Sequence, residues 1–194
     1  MTHHAANDDT LLARAFVAGE PGARDRLLAR FLPRVLRWAA RLGGPAVDPE
    51  DIAQEVFIVV IRRLGDVDDL DRVSAWLYGV TRKVVAQHRR RAWLRRWVPG
   101  ASTERHSERP GPEARMQTSE VGAAVQGVLE QLPAAQREAL ILCDLEERTL
   151  QEASELAGVP LGTMKSRLRL ARERFRRLAV QRDLVGLLPA GEAT

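Results

Sequence analysis

The chain contains a single cysteine, Cys143, in 194 residues. One thiol excludes an intramolecular disulfide and any cysteine-cluster zinc site, and it fits a reducing compartment. Cys143 lies in an apolar run and reads as a packing residue. Aromatic residues make up only 5% of the chain, beside 45% hydrophobic and 29% charged residues, a composition of a soluble globular protein. Long hydrophobic runs are missing: none approaches the length of a bilayer span, and the start, MTHHAANDDT, lacks a signal-peptide core. The expectation is a cytoplasmic protein with no membrane insertion. Histidine is scarce too. His3 and His4 adjoin each other in a polar end without a spaced third ligand, which predicts a disordered tail and no metal site. No cofactor is expected.

Net charge is modest, +4, although the pI is near 10.1, so the position of the charges is more informative than their sum. Between Asp48 and Asp71 stand eight acids against Arg62 and Arg63, whereas Arg82 to Arg96 holds seven bases and no acid. A third block, Lys165 to Arg182, has eight bases against Glu173 alone. One surface should repel nucleic acid and two should attract it.

The stretch from Thr149 to Leu178, TLQEASELAGVPLGTMKSRLRLARERFRRL, reads as two helices joined by a glycine-containing turn. Thr149 stands at an N-cap with Glu152 three residues on, the form of a capping box. Gly158 ends the first helix and Pro160 suits the opening turn of the second. Met164, Leu168, Ala171, Phe175 and Leu178 then recur at steps of four and three, an apolar seam for a core. Beside the seam Lys165, Arg169, Arg172 and Arg176 make a cationic stripe that could lie against phosphates while N-terminal side chains reach base edges. The competing reading is a solvated basic face on an ordinary helical hairpin.

Upstream, helical spacing covers Thr10 to Ala18 (Leu11, Leu12, Ala15, Phe16) and Ala23 to Leu42 (Leu28, Phe31, Leu32, Val35, Leu36, Ala39, Leu42), with Pro33 set to kink or restart the second helix. Asp48 and Pro49 open a third helix in which Ile52, Val56, Val60 and Leu64, widened by Phe57 and Ile61, face inward. Its acids need no metal to explain them, since they favour a helix start. After an acidic loop, Val73, Trp76, Leu77, Val80, Val84 and His88 mark a helix running toward Arg91, with Arg82, Lys83, Arg89 and Arg90 on its polar side. Trp76 reads as core. Trp93 and Trp97, among Arg95 and Arg96, either pack or stack on unpaired bases. Residues 99–119, rich in Pro, Gly, Ser and charge, read as a linker. Beyond it Val121, Val125, Val128, Leu129 and Leu132 form one helix, and Pro133 opens another containing Ala139, Leu140 and Cys143. The predicted fold is all-α: a helical domain at 1–98, a flexible linker at 99–119, a helix-turn-helix domain at 120–182 and an apolar tail at 183–194.

DPEDIAQEVFIVVIRRL at 48–64, SAWLYGVTRKVVAQHRRR at 74–91 and LPAAQREALILCDLEERTLQEASELAGVPLGTMKSRLRLAR at 132–172 together resemble the second and fourth conserved regions of the extracytoplasmic-function (ECF) group of the sigma-70 family of bacterial transcription initiation factors. The resemblance covers nearly the whole chain. It implies a non-catalytic specificity subunit that joins core RNA polymerase, recognises promoter DNA and helps open it. By it, Asp51, Gln54 and Glu55 dock on the clamp of the largest polymerase subunit, while the fourth region meets the flap. The loop from Gly65 to Ser74 and the start of the next helix capture a flipped minus-ten base, and Arg82, Lys83, Arg89 and Arg90 hold that strand. Lys165, Ser166 and Arg169 read or flank the minus-thirty-five element, with Arg167 and Arg172 on phosphates. Gly79, Lys83, Gln87 and Leu170 depart from the residues frequent at these places. An anti-sigma factor is a common partner in the family. No small-molecule substrate is implied.

Two other functions compete with this one. A stand-alone helix-turn-helix regulator would bind its operator tightly without polymerase. A non-DNA interaction protein would use its basic faces on an acidic partner and retain neither DNA nor polymerase.

Overall fold

A computed structural model describes residues 2–97 and 120–182. Among the described residues it is all-helical, and the chain divides into two compact units. The expected linker at 99–119 and tail at 183–194 lie outside the described residues.

The first unit holds α1 (Thr2–Val17), α2 (Ala23–Gly43), α3 (Pro49–Arg63) and α4 (Val73–Trp97). The long α2 is the centre of its packing. Leu27, Phe31, Val35, Trp38, Ala39 and Leu42 recur at helical spacing and are buried, facing Ile52, Val56 and Val60 of α3 and Leu77, Tyr78 and Val85 of α4. Trp38 and Tyr78 meet edge to face, 5.1 Å between centroids, the arrangement that sets a ring's positive edge on its neighbour's negative face. The helix runs unbroken through Pro33, so no restart occurs there. An interior proline costs about 3 kcal/mol. Fully burying one large apolar side chain returns about 2 kcal/mol, so the stripe on either side of Pro33 outweighs the lost hydrogen bond.

At the α3 N-terminus the Asp48 side chain accepts the Glu50 N–H at 2.8 Å, with Pro49 following it, as expected of a cap. The acidic loop after α3 is two 3-10 turns, Leu64–Asp66 and Leu70–Arg72.

Several sequence expectations are corrected. His3 and His4 belong to α1, which begins at Thr2, and not to a disordered tail. The inward side of α1 is Asp9, Thr10 and Ala13, while Leu11 is 57% exposed. Leu12, Ala15 and Phe16, named with Leu11, are half-buried; what the spacing missed is Asp9, which partners remote in sequence draw inward. Arg30 Nε reaches its carboxylate at 2.9 Å, Ser74 Oγ at 3.0 Å, and Arg34 also donates to it. Leu32 and Ile61 are exposed, not core. In α4, Thr81 is buried, its hydroxyl donating to the Leu77 carbonyl at 2.9 Å, and Trp76 is only half-buried, lining a crevice with Leu27, Phe31 and Phe57.

The second unit holds α5 (Glu120–Leu129), α6 (Ala134–Leu140), the first residues of α7 (Leu150–Ala157), and the whole of α8 (Leu161–Val180). Leu129, Leu132, Leu140 and Ala171 form its central cluster, with Val125, Phe175 and Leu178 packed against it. Arg137, itself buried, donates to the Glu130 and Leu132 carbonyls at 3.3 and 3.1 Å, satisfying backbone oxygens around the α5 C-terminus. Cys143 lies in a π-helical turn, Ile141–Leu145, that follows α6. Partial burial, reinforced by Asp144, pushes its thiol up despite Arg172, so it stays protonated near neutrality. No helix among the described residues is long and apolar enough to cross a membrane.

Candidate nucleic-acid interface

The helix-turn-helix is built by local chemistry. The Thr149 N–H donates to Glu152 Oε2 at 2.9 Å, and the Glu152 N–H donates to Thr149 Oγ1 at 3.2 Å, a complete capping box. The Thr149 backbone N–H is the main reason the Glu152 carboxyl titrates below its ordinary value, the hydroxyl and Arg148 adding to it. Gly158 turns the chain at φ 67°, where a Cβ would be strained, and Pro160 precedes α8. Met164, Leu168 and Ala171 are buried, and Phe175 and Leu178 half-buried, so the expected seam faces the core.

The opposite side of α8 presents the cations. Lys165, Ser166, Arg169, Arg172 and Arg176 are exposed and Arg167 is half-buried. Two of these charges have acidic neighbours. Arg169 sits 3.8 Å from Glu173, an exposed pair of little energetic weight. Arg172 is held more firmly: its Nε and Nη2 donate to the two oxygens of Asp144 at 3.0 and 2.7 Å. That bidentate contact, chiefly, raises the guanidinium's pKa. Arg172 therefore ties α8 to the π-turn, with its remaining N–H groups available to a phosphate.

In the first unit, α4 carries a second basic surface. Arg82, Lys83 and Arg90 are exposed on it, and Gly79 lies on the same side, where an added Cβ would meet nothing within 4 Å. Arg89 is turned elsewhere: its Nη1 donates to the Gly43 carbonyl at 2.8 Å and to that of Leu42 at 3.4 Å, at the α2 C-terminus. A cation there meets unsatisfied carbonyls and the negative end of the helix dipole. The Ser74 hydroxyl is likewise engaged by Asp9 and Arg34. Trp93 is 57% exposed, so the packed alternative does not hold for it; the Trp97 side chain lies outside the described residues.

On α3 the acidic side contains Asp51 and Gln54, exposed, and Glu55, half-exposed. Glu55 Oε1 meets His88 Nε2 at 2.8 Å and lies 3.7 Å from Arg91, which ties α3 to α4. Ile58 and Ile61, 48% and 37% exposed, lie on this acidic side. Sequence reasoning left Ile58 unassigned and put Ile61 in the core. The signal was available, since Asp51, Ile58 and Arg62 share one side of a 3.6-residue helix. Lys165 and its neighbours belong to the other unit, so the predicted residues form three surfaces and not one site. No group of three or more metal-ligating side chains occurs among the described residues.

The family description Sigma-70 region 2 matches residues 27–98, and Sigma-70, region 4 matches residues 123–175. The ECF RNA polymerase sigma factor SigM of Mycobacterium tuberculosis is 30% identical over 175 residues, 90% of this chain and 86% of that protein. SigE of Mycolicibacterium smegmatis is 34% identical over 154 residues; the match spans 78% of this chain but only 60% of that relative. Among solved structures, CnrH in complex with the cytosolic domain of CnrY aligns with a TM-score of 0.66 at 24% identity, over 89% of this chain and 97% of that one. The sigma factor RpoE of Bartonella quintana, in complex with the anti-sigma factor NepR, aligns at 0.59 and 24%, over 82% and 98%. At that identity the structures establish the fold alone, whereas the sequence relatives establish kinship: the chain belongs to the extracytoplasmic-function group of sigma-70 RNA polymerase sigma factors.

Proposed function

We propose that this protein directs core RNA polymerase to specific promoters and assists melting, with labour divided between its two units. Residues 1–98 bind core enzyme and the minus-ten element, and residues 120–182 bind the minus-thirty-five element. The observation that carries the reading is the two-sided α8: Met164, Leu168 and Ala171 are sealed inside while Lys165, Ser166 and Arg169 stand in solvent at the start of a helix-turn-helix recognition helix. Arg167 and Arg172 supply phosphate contacts, Arg172 with the N–H groups that Asp144 leaves available. On α4, Lys83, Arg82 and Arg90 track the opened strand, and the exposed Trp93 offers a stacking face at their end. Arg89 and Ser74 act there from beneath, through the contacts that order the helix.

The acidic side of α3 is the polymerase-facing surface. Asp51, Gln54 and Glu55 precede the exposed Ile58 and Ile61 on the same side of α3, apolar residues bordered by charge as at a protein interface. It is directed at the clamp of the largest subunit, with the fourth-region unit on the flap. The chain itself carries no catalysis, works in the cytoplasm and is open to control by an anti-sigma factor, the kind of partner with which the Bartonella quintana protein was solved.

The test is a pair of double variants read by core-enzyme pull-down and promoter-directed transcription side by side. Lys165→Ala with Arg169→Ala should lower initiation at least tenfold, about 1.4 kcal/mol, and leave core retention intact. Asp51→Ala with Glu55→Ala should lose core retention. Identical behaviour of the two sets refutes the division. Tight sequence-specific binding by the chain without polymerase would point to a stand-alone regulator instead.

A further inference from the structure

We propose that Asp9 and Arg14 of α1 are positioning residues for strand capture, holding in place the segment Leu70–Ser74 that leads into α4. Val73, buried, anchors the segment at its α4 end; the turn before it has no such anchor. That 3-10 turn, Leu70–Arg72, has no buried residue, and its internal support is Asp69, whose side chain accepts the Asp71 N–H at 3.0 Å and whose carbonyl accepts the Arg72 N–H at 3.2 Å. A short turn without buried apolar contacts takes its position from whatever it is tied to. Here that is α1, at two points.

The first tie is buried. Asp9 is 1% exposed, and its carboxylate gathers Arg30 Nε at 2.9 Å, Arg34, and the Ser74 hydroxyl at 3.0 Å. Arg34 also reaches Ser74 Oγ, at 3.3 Å. A carboxylate so far from water is costly to bury without such partners, so the arrangement tolerates little displacement. The second tie is at the surface, where Arg14 Nη2 meets Asp71 Oδ1 at 3.0 Å. Asp9 and Arg14 stand about 7.5 Å apart along α1 at 1.5 Å per residue. One attachment would leave the segment a pivot; two fix its rotation as well. Ser74, where the family captures DNA, thus turns its hydroxyl toward α1, and its effect on the strand passes through the position of the α4 N-terminus.

This inference rests on the strand-capture reading of the segment, and the experiment separates the two. The full-length chain with core polymerase is titrated into a fluorescein-labelled single-stranded DNA 12-mer pool with six randomised positions, followed by anisotropy, beside core-enzyme pull-down. Wild-type binding, and its weakening in Lys83→Ala, test the strand-capture reading. Asp9→Asn should lower strand affinity about tenfold with core retention within about twofold of wild type, since the Asp9 contacts lie on α2 and the α4 start and not on the acidic side of α3. Arg14→Glu should lower it about threefold, as an exposed pair allows, and adding Asp71→Arg should recover the loss. Both residues of that pair are well exposed, so the swap reports even if Asp9→Asn fails to fold. The inference is overturned if wild type and Lys83→Ala differ while Arg14→Glu binds like wild type, or if the swap recovers nothing. A wild-type holoenzyme that does not retain the strand overturns the inference together with the reading beneath it.

Discussion

Two nitrogens of Arg172 are occupied by Asp144, so on the proposed reading the pair acts as a brake on the α8 stripe. Asp144→Asn keeps the shape and removes the competing charge. We expect promoter-fragment affinity of the holoenzyme to rise about threefold at low salt, with unit stability falling by about 1 kcal/mol or less, since the pair is partly exposed. Arg172→Ala should lower both affinity and melting temperature. Gly79 poses the opposite case. It stands inside α4 on the side of Lys83, with open space where a Cβ would be, so nothing among the described residues calls for glycine. Gly79→Ala should stabilise the first unit by about 1 kcal/mol, raising its melting temperature by about 5 °C. A simultaneous fall in promoter opening would assign the glycine to close approach of the strand.

At the scale of the element, the helix-turn-helix was legible because its determinants lie within a few residues of one another. Thr149, Glu152, Gly158 and Pro160 set the caps and the turn by local hydrogen bonds and dihedral limits, and the structure has each as read. Thr149→Ala removes the side-chain half of the box and should cost the second unit about 1 kcal/mol, seen as a lower denaturation midpoint that Thr149→Ser restores. The same box gives a pH dependence. Because folding holds the Glu152 carboxyl below its ordinary value, its contribution is complete above the unfolded-state value and is lost as pH falls through the depressed one. Acid titration of stability should therefore flatten in that window in Glu152→Gln. The first helix was legible only in part. Its apolar pattern favoured Leu11, yet Asp9 is what the fold buries, because Arg30, Arg34 and Ser74 converge on it from α2 and α4.

Across the whole molecule a net charge of +4 conceals acids gathered at 48–71 and bases at 82–96 and 165–182. Promoter binding by the holoenzyme should weaken linearly in log affinity against log salt, and Lys165→Ala should reduce that slope by about 1. Asp51→Ala with Glu55→Ala, retested at saturating core enzyme, should leave the slope unchanged, since on the proposed division those acids face protein and not phosphate. Filter-binding titrations across a salt series would decide both points. Kinship with sigma factors was likewise legible, because motifs at 48–64, 74–91 and 132–172 are linear strings. What the sequence by itself determined is the set of helices, their caps and the apolar and cationic sides of α8, all consequences of hydrogen bonds and a 3.6-residue period that act within one or two turns. Tertiary structure alone decided what each long charged side chain does. Arg172 found Asp144 twenty-eight residues back, Arg89 the α2 end forty-six residues back, and Ser74 found Asp9 sixty-five residues back. A guanidinium or carboxylate takes whichever partner the folded chain brings within reach, and no spacing rule along the chain encodes that distance.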